Sequence, residues 1–237
     1  MDRLQLSIVL PAHNESGNLP ELIKDISACM RDLLWDYEII IVNDGSTDNT
    51  AKVVADLIRD PRVKIVNHAS NRGYGAALRS GFAAATKPWI FFMDSDRQFD
   101  IKEITKLSVY ANDFDMIIGY RKDRQDNMLR KLNGEIFNLA VNILFGLWLR
   151  DIDCAFKLLK KEIVDRAHLE SNGALINTEL LVRAKKLGYK IKQLPVSHFP
   201  RERGEQSGAN IKVILRAVKE ILLFRLTGRT VSDIKNT

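Results

Sequence analysis

The sequence predicts an α/β protein in one domain, built on a mostly parallel central sheet flanked by helices. Three observations carry this expectation. Short apolar runs alternate with helical stretches through the first 119 residues. The strand at 37–42 carries an unbroken run of Ile and Val, and 89–93 is apolar throughout, the pattern of strands buried on both faces. The polar, chemistry-bearing stretches follow the first four runs, so they open together on one edge of a parallel sheet, where such sheets bind ligands.

Taken in order, residues 6–10 form the first strand, ended by Pro11. The first helix starts at Asn18 as N-cap, with Glu21 at the capping-box position. Residues 37–42 are the second strand, and a turn-rich stretch at 43–49 leads into a second helix running to about Ile58. Strand three is 63–66, helix three 74–85 and strand four 89–93. Helix four covers 101–111, opened by an Asp100/Glu103 capping box, and strand five is 115–119. The second half is less regular. Residues 120–127 read as a charged loop, 128–149 as a long amphipathic helix and 154–159 as a strand. Residues 177–187 read as a helix closed by Gly188, and 191–196 as a strand. A loop at 197–209 precedes a last amphipathic helix at 210–226.

The 237 residues are 46% hydrophobic and 28% charged, enough for one large core. Cys29 and Cys154 match no metal or redox spacing and read as buried thiols in a reducing compartment. No stretch reaches the roughly 18 apolar residues of a spanning helix, and the N-terminus reads as a strand rather than a signal peptide. The expectation is a cytoplasmic protein, or one bound peripherally to the cytoplasmic face of a membrane. The net charge of +6 and pI near 9.3 suit phosphorylated or lipid-phosphate partners. Neither basic region, 121–131 or 201–229, carries the interleaved aromatics of a nucleic-acid binder, so no nucleic acid partner is expected.

Asp94, Ser95, Asp96 and Gln98 follow strand four directly. Two carboxylates one residue apart, then an amide, are oxygen ligands suited to Mg2+ or Mn2+. They could instead cap the next helix, but Asp100 and Glu103 already fill that role. After strand one come Pro11, His13, Asn14 and Glu15; after strand two, Asn43, Asp44 and Gly45; after strand three, Arg72, Gly73 and Gly75. Acids in the first two loops can accept from a nucleobase and ribose. Glycines in the third let backbone approach a ligand and start a helix whose N-terminus favours phosphate. Gly73 and Gly75 lack a third glycine at position 78, which speaks against a dinucleotide fingerprint. Asn-Asp-Gly-Ser-Thr alone could be only a turn. Together the four loops describe a nucleoside-diphosphate site.

VLPAHNES (9–16), VNDGSTDNT (42–50), NRGYGAALRSGF (71–82), MDSDRQFD (93–100), GYRKDR (119–124), DIDCAFKLLKKE (151–162) and PRERGEQSGAN (200–210) resemble the family 2 glycosyltransferases of GT-A fold. Within these the chain is similar to the dolichyl-phosphate mannose synthase and polyprenyl-phosphate glycosyltransferase branch. The resemblance implies a Rossmann-like sheet within a single domain 1–237. Residues 1–119 would bind the nucleotide-sugar, and 120–237 the acceptor, ending in the amphipathic helix. It implies an inverting transfer from a UDP- or GDP-sugar to a polyprenyl or dolichyl phosphate, in cell-envelope glycan synthesis. Pro11, His13, Glu15 and Asp44 would line the nucleoside, while Asp94, Asp96 and Gln98 would hold the metal. Asn14, Gly45, Arg72, Gly73 and Ser95 complete the expected donor site, with Asp96 also counted as catalytic. Arg121, Arg130 and Lys131 would grip the acceptor phosphate, and Asp153 would be a base or acceptor-site residue. Gly134 and Ala155 depart from the family pattern, where serine and glycine are usual.

An ionised phosphate acceptor needs no base, whereas a hydroxyl acceptor does, and Asp153 is then the best-placed carboxylate. Paired with Arg150, it would be only a loop acid. Glu179 reads either as a further site acid or as a solvated helix residue. Arg121, Arg130 and Lys131 could be no more than solvated charges, and the 201–208 loop a lid or an ordinary loop. The last helix could lie on a membrane or pack on the core. Two other functions stay open: transfer to a saccharide hydroxyl, and a non-catalytic nucleotide-sugar-binding subunit.

Overall fold

The computed structural model describes residues 3–122, 128–201 and 220–226, with the backbone alone at 128–130 and 132. Its centre is β1 (Gln5–Ala12), whose residues 6–12 are all buried. On one side β1 pairs in parallel with β2 (Asp36–Asp44), and β2 with β3 (Val63–His68). On the other it pairs in parallel with β4 (Trp89–Met93). The sheet continues to seven strands in the order β3-β2-β1-β4-β6-β5-β7, with β5 at Met116–Arg121, β6 at Phe156–Lys160 and β7 at Ile191–Val196. β6 alone runs antiparallel, wedged between β4 and β5. The mostly parallel expectation therefore holds.

One core packs under α1 (Leu19–Asp32), where Leu6, Ile8 and Leu10 meet Leu22, Ile26 and Met30. The other face buries Val9, Ile40 and Val42 against Ala77, Leu78 and Phe82 of α3 (Tyr74–Ala84), and Leu180 and Leu181 of α7 (Ile176–Lys186). A Cβ at Gly81 would lie 2.3 Å from a Val9 methyl, so this glycine sets how closely α3 approaches the sheet. Cys29 and Cys154 are free and buried, as expected.

Several element expectations need correction. α1 begins after Asn18, but no capping box forms: the Asn18 amide donates to Glu15 Oε2 at 2.6 Å instead. Helix four is a 3-10 turn (Ile101–Glu103) running into a short α4 (Ile104–Ser108). Asp100 caps it through Lys102 N, while Glu103 turns to Ser197 Oγ at 2.6 Å. α2 (Thr50–Leu57) matches its expected span. The long helix, α5, ends at Phe145 (Met128–Phe145) rather than at 149, and α6 (Lys161–Ala167) was not foreseen. Arg121 closes β5 rather than lying in a loop. Most of the 197–209 loop and of the last helix lies outside the described residues; 220–226 is helical, with Phe224 stacked on Phe145 at 5.6 Å.

Candidate active site

Parallel pairing puts the ends of β1, β2 and β4 level, with Ala12 beside Asn43 and Val9 beside Phe92. Beyond them opens a cavity of about 710 Å³, lined by residues of all four expected loops and of the 151–155 segment. Pro11, His13, Asn14, Glu15, Asp44, Asp94, Ser95, Asp96, Gln98, Arg121 and Asp153 all face it. Eleven residues chosen from separate stretches of sequence thus share one cleft.

At one end the loops are held chiefly by each other. His13 Nδ1–H donates to the Asp44 carbonyl at 2.8 Å. Asn14 takes a positive φ of 58°, and its side-chain oxygen accepts from Thr47 N at 2.8 Å. Asp44 Oδ1 accepts from His68 Nδ1 at 2.6 Å and Arg72 N at 2.9 Å, while Oδ2 accepts from Gly73 N at 2.9 Å. Asp44 therefore ties strand two to the loop after strand three, besides facing the cavity.

Three residues expected at the donor site, Gly45, Arg72 and Gly73, do not line the cavity. Two amides in the first turn of α3 are engaged inside the chain, Gly75 N and Ala76 N donating to the Asn172 carbonyl at 2.9 and 3.2 Å, although Tyr74 and Ala77 of that turn line the cavity. A Cβ at Gly73 would meet that oxygen at 2.4 Å, and one at Gly75 would meet Ser171 O at 2.4 Å. These glycines make room for the chain's own backbone, not for a ligand. Gly45, at φ +60°, likewise abuts Asn71 N and Ser70. Arg72 lines a separate depression with Arg79 and His168. Gly45, Arg72 and Gly73 thus build the site's walls from behind.

At the other end carboxylates crowd together. Desolvation and the neighbouring Asp96 charge push Asp94 up to about 7, despite the nearby Tyr74 hydroxyl, Arg121 and Lys157. Asp96 Oδ1 accepts from Gln98 N at 3.1 Å, and its Oδ2 lies 3.5 Å from Arg201 Nη1. Arg201 also reaches Glu15 Oε1 at 2.6 Å, and burial raises Glu15. Gln98 Nε2 donates to Phe199 O at 3.0 Å, so its amide anchors the chain after β7, leaving only its side-chain oxygen as a ligand. Among the described residues no group of three His, Cys, Asp or Glu is arranged to hold a metal. Two crowded carboxylates, one raised toward neutrality by burial and then by the other's charge, still suit a hard divalent ion that takes its remaining ligands from phosphates and water.

Arg121 forms a two-pronged pair with Asp151, Nε to Oδ2 and Nη2 to Oδ1, both at 2.8 Å. The fork expected to grip an acceptor phosphate is thus engaged inside the chain, while Arg121 still lines the cavity. Lys131 is exposed on α5 and does not line the cavity, and the Arg130 side chain lies outside the described residues. Glu179 is neither solvated nor in the cavity. It is fully buried, accepting from Ser171 N at 2.8 Å and pairing with Arg183 at 2.7 Å. It thereby holds the loop that caps α3.

Sequence reasoning missed Tyr74, Arg201, His198 and Phe99, which also line the cavity, and Lys157 behind it. Tyr74 follows Gly73 directly, so its place in the third loop was a signal. Phe99 adjoins Gln98, and Arg201 opens the 201–208 loop already read as a lid or an ordinary loop, so both lay in stretches the sequence singled out; nothing local marked the roles of His198 and Lys157.

Residues 7–167 match the model of glycosyl transferase family 2. The chain is 31% identical over 214 residues to undecaprenyl-phosphate 4-deoxy-4-formamido-L-arabinose transferase of Enterobacter sp. (strain 638), covering 89% of this chain and 64% of that protein. The transferase of the same name from Pseudomonas fluorescens (strain SBW25) is 32% identical over 212 residues, covering 88% and 61%. The chain therefore spans a little over six tenths of these relatives' length. Among solved structures it is similar to glucosyl-3-phosphoglycerate synthase from Mycobacterium tuberculosis. The complex of that enzyme with phosphoglyceric acid gives a TM-score of 0.73 at 22% identity, covering 94% of this chain and 80% of that one. Its complex with Mn2+, uridine diphosphate and glucosyl-3-phosphoglycerate gives 0.71 at 22%, with the same coverage. That likeness bears out the GT-A fold.

Proposed function

As this chain belongs to glycosyl transferase family 2, we propose that it moves a sugar, with inversion, from a nucleotide-sugar to a polyprenyl phosphate. The observation that carries the proposal is the shared cavity. It holds the Asp94/Asp96 pair between the His13–Glu15 and Asp44 loops on one side and Arg121 with Asp153 on the other. The curated relatives are named for transfer to undecaprenyl phosphate, and uridine diphosphate occupies the similar solved enzyme. UDP is accordingly the preferred donor nucleotide.

In this reading the Pro11–Glu15 and Asp44 loops receive the nucleoside, prearranged by the Asn14 and Asp44 hydrogen bonds, so little ordering entropy is lost on binding. Asp94 and Asp96, with the Gln98 side-chain oxygen within reach, hold a Mg2+ or Mn2+ ion, which when bound neutralises charge building on the departing diphosphate. Arg201, now on Asp96 and Glu15, lies where it can turn to the diphosphate once the carboxylates are compensated. Arg121, paired with Asp151, offsets part of the negative charge beside Asp153 at the acceptor end. A phosphate acceptor attacks already ionised, and no proton need be removed.

The engagement of the Arg121 fork by Asp151 favours one second reading. A sugar hydroxyl would be the acceptor, and Asp153 would take its proton. Membrane docking belongs with the first reading. Ile136, Leu139 and Ile143 share an outward face of α5 at 57–65% exposure, with Trp148 at 76% just beyond. Among the described residues no helix is long and apolar enough to cross a bilayer. An interfacial helix of this kind lies flat on a membrane, here the cytoplasmic face.

The test is transfer from UDP- and GDP-sugars, with Mn2+, to undecaprenyl phosphate in anionic vesicles or to soluble saccharides. Transfer to the lipid phosphate that falls at least tenfold in Arg121→Ala supports the proposal. Transfer to saccharides alone, unaffected by Arg121→Ala but lost in Asp153→Asn, establishes the second reading. No donor turnover, with UDP still bound, leaves a binding subunit.

A further inference from the structure

β6 carries a lysine at a position where the sheet allows no solvent. Lys157 is fully buried, opposite Phe92 on β4 and Ile118 on β5. The very largest side chains buried as deeply, among them Phe91, Phe156 and Leu10, are otherwise apolar. Burying an ammonium is costly until its protons are accepted, and a methionine of similar shape would avoid that cost. The three protons of Nζ go to three neutral oxygens: Ile152 O at 3.1 Å, Cys154 O, and Asn177 Oδ1 of α7 at 3.0 Å. Among the described residues no carboxylate bonds to it. Burial accordingly lowers its affinity for the proton, while Asp153, Asp151 and Asp94 act in the opposite sense from nearby.

The two carbonyls it gathers belong to the residues on either side of Asp153. Pulling both inward onto one cation fixes the turn from which Asp153 lines the cavity with Asp94 and Arg121. Neighbouring bonds hold the same segment from the other side. Asn138 and Asn142 of α5 both donate to Leu149 O at 2.7 Å, and Ile152 N donates to Asn138 Oδ1 at 3.0 Å. Asp151 meanwhile is held by Arg121. Of these supports, only Lys157 grips the chain on both sides of Asp153.

We propose that Lys157 is a positioning residue, whose buried ammonium clamps residues 152–154 against Asn177 of α7 and so aims Asp153 into the acceptor end of the cavity. The proposal rests on the reading of Asp153 as an acceptor-site residue given above. The ammonium does not touch substrate, and its contribution is the shape of the loop. A hydrocarbon of equal volume fills the same space in the sheet but leaves the two carbonyls without a common donor, and the loop is then free to sample other turns.

The experiment compares the full chain with Lys157→Met and with Asn177→Ala, which keeps the ammonium and removes one of its three acceptors. Three quantities are read: backbone amide exchange at 151–155, UDP affinity with Mn2+ by calorimetry, and sugar transfer with the donor–acceptor pair identified above. For Lys157→Met we expect amide exchange at least tenfold faster in that segment and UDP affinity within twofold of the parent. Turnover should fall about 100-fold with little change in donor KM. Asn177→Ala should show a smaller change of the same kind, and it supplies the reading if Lys157→Met does not fold. A folded Lys157→Met with parental exchange overturns the clamp, as does a uniform fall in exchange protection, UDP affinity and turnover, which would mark a general core defect. Faster exchange with undiminished transfer leaves the clamp standing and removes Asp153 from the acceptor site, so the two readings fail separately.

Discussion

Around the ends of β1, β2 and β3, the polar groups of the cavity are bonded to one another. Asp44 accepts from His68, Arg72 and Gly73, and Asn14 bridges to Thr47. Beyond β4 and β6 the cavity brings like charges together: Asp94 beside Asp96, with Asp153 and Glu15 on the same lining. One end is a seat tied together by its own hydrogen bonds; the other is a carboxylate cluster whose repulsion a divalent cation would relieve. The contrast separates residues that shape a site from residues that do chemistry. It also shows that a residue at a ligand-facing loop can belong wholly to the first group, as Gly73 does.

Breaking the charged end should have the largest effect. Asp96→Ala is expected to cut sugar transfer by about a thousandfold, in the range seen when electrostatic stabilisation of a leaving group is removed. It should also abolish any rise in melting temperature produced by UDP with Mn2+, while the circular dichroism spectrum stays native. A native spectrum with unchanged transfer would break the distinction between the two ends.

Breaking the hydrogen-bonded end should cost stability instead. Gly75→Ala places a Cβ 2.4 Å from Ser171 O and 2.7 Å from Gly173 O, both backbone atoms that cannot swing aside. Overpacking of this kind costs about 2–3 kcal/mol, a fall in melting temperature of roughly 5–10 °C for a chain of this size. UDP affinity in the folded fraction should change far less.

A control lies at the opposite edge of the sheet, away from both ends. Glu38 is buried there, bonded to Ser7 at 2.6 Å, Thr86 N at 2.7 Å and Lys64 at 2.5 Å. Although desolvation opposes it, these bonds bring its carboxyl down to about 2. A carboxyl lowered on folding contributes stability that is complete above its ordinary value near 4.5 and is lost as pH falls toward 2. Glu38→Gln should cost about 1–3 kcal/mol at pH 7 and flatten the acid limb of a stability–pH curve, with transfer unchanged. The smallest effect is expected at Arg72, whose side chain lines the other depression. Arg72→Ala should leave UDP affinity within about twofold, since a side chain outside the cavity contributes only screened, long-range attraction.

Much of this site could be read in the chain before folding was considered. Apolar runs ending in polar loops located β1 to β4 and their C-terminal edge, because burial on both faces leaves a compositional trace. Asp94 and Asp96 were picked out from their own neighbours in sequence and Asp153 from the family resemblance, and the three share one cavity. Reading failed where a group's partner comes from far away. The Asn172 carbonyl that caps α3 is 97 residues beyond Gly75, if counted along the chain, and no local pattern at Gly75 announces it. The antiparallel course of β6 was equally hidden, since strand direction follows from the packing of the helices that connect it rather than from the strand's own residues.

By itself the sequence determined which residues carry charge, where strands end and which acids lie one turn from an apolar run. These are properties of a residue and its near neighbours. Only the tertiary structure decided whether a polar group is spent inside the chain or left for a ligand, as with the Arg121 fork, the α3 amides and the ammonium of Lys157. The physical reason is that hydrogen bonds and charges are satisfied by proximity in space. Burial makes that satisfaction obligatory wherever the partners are found.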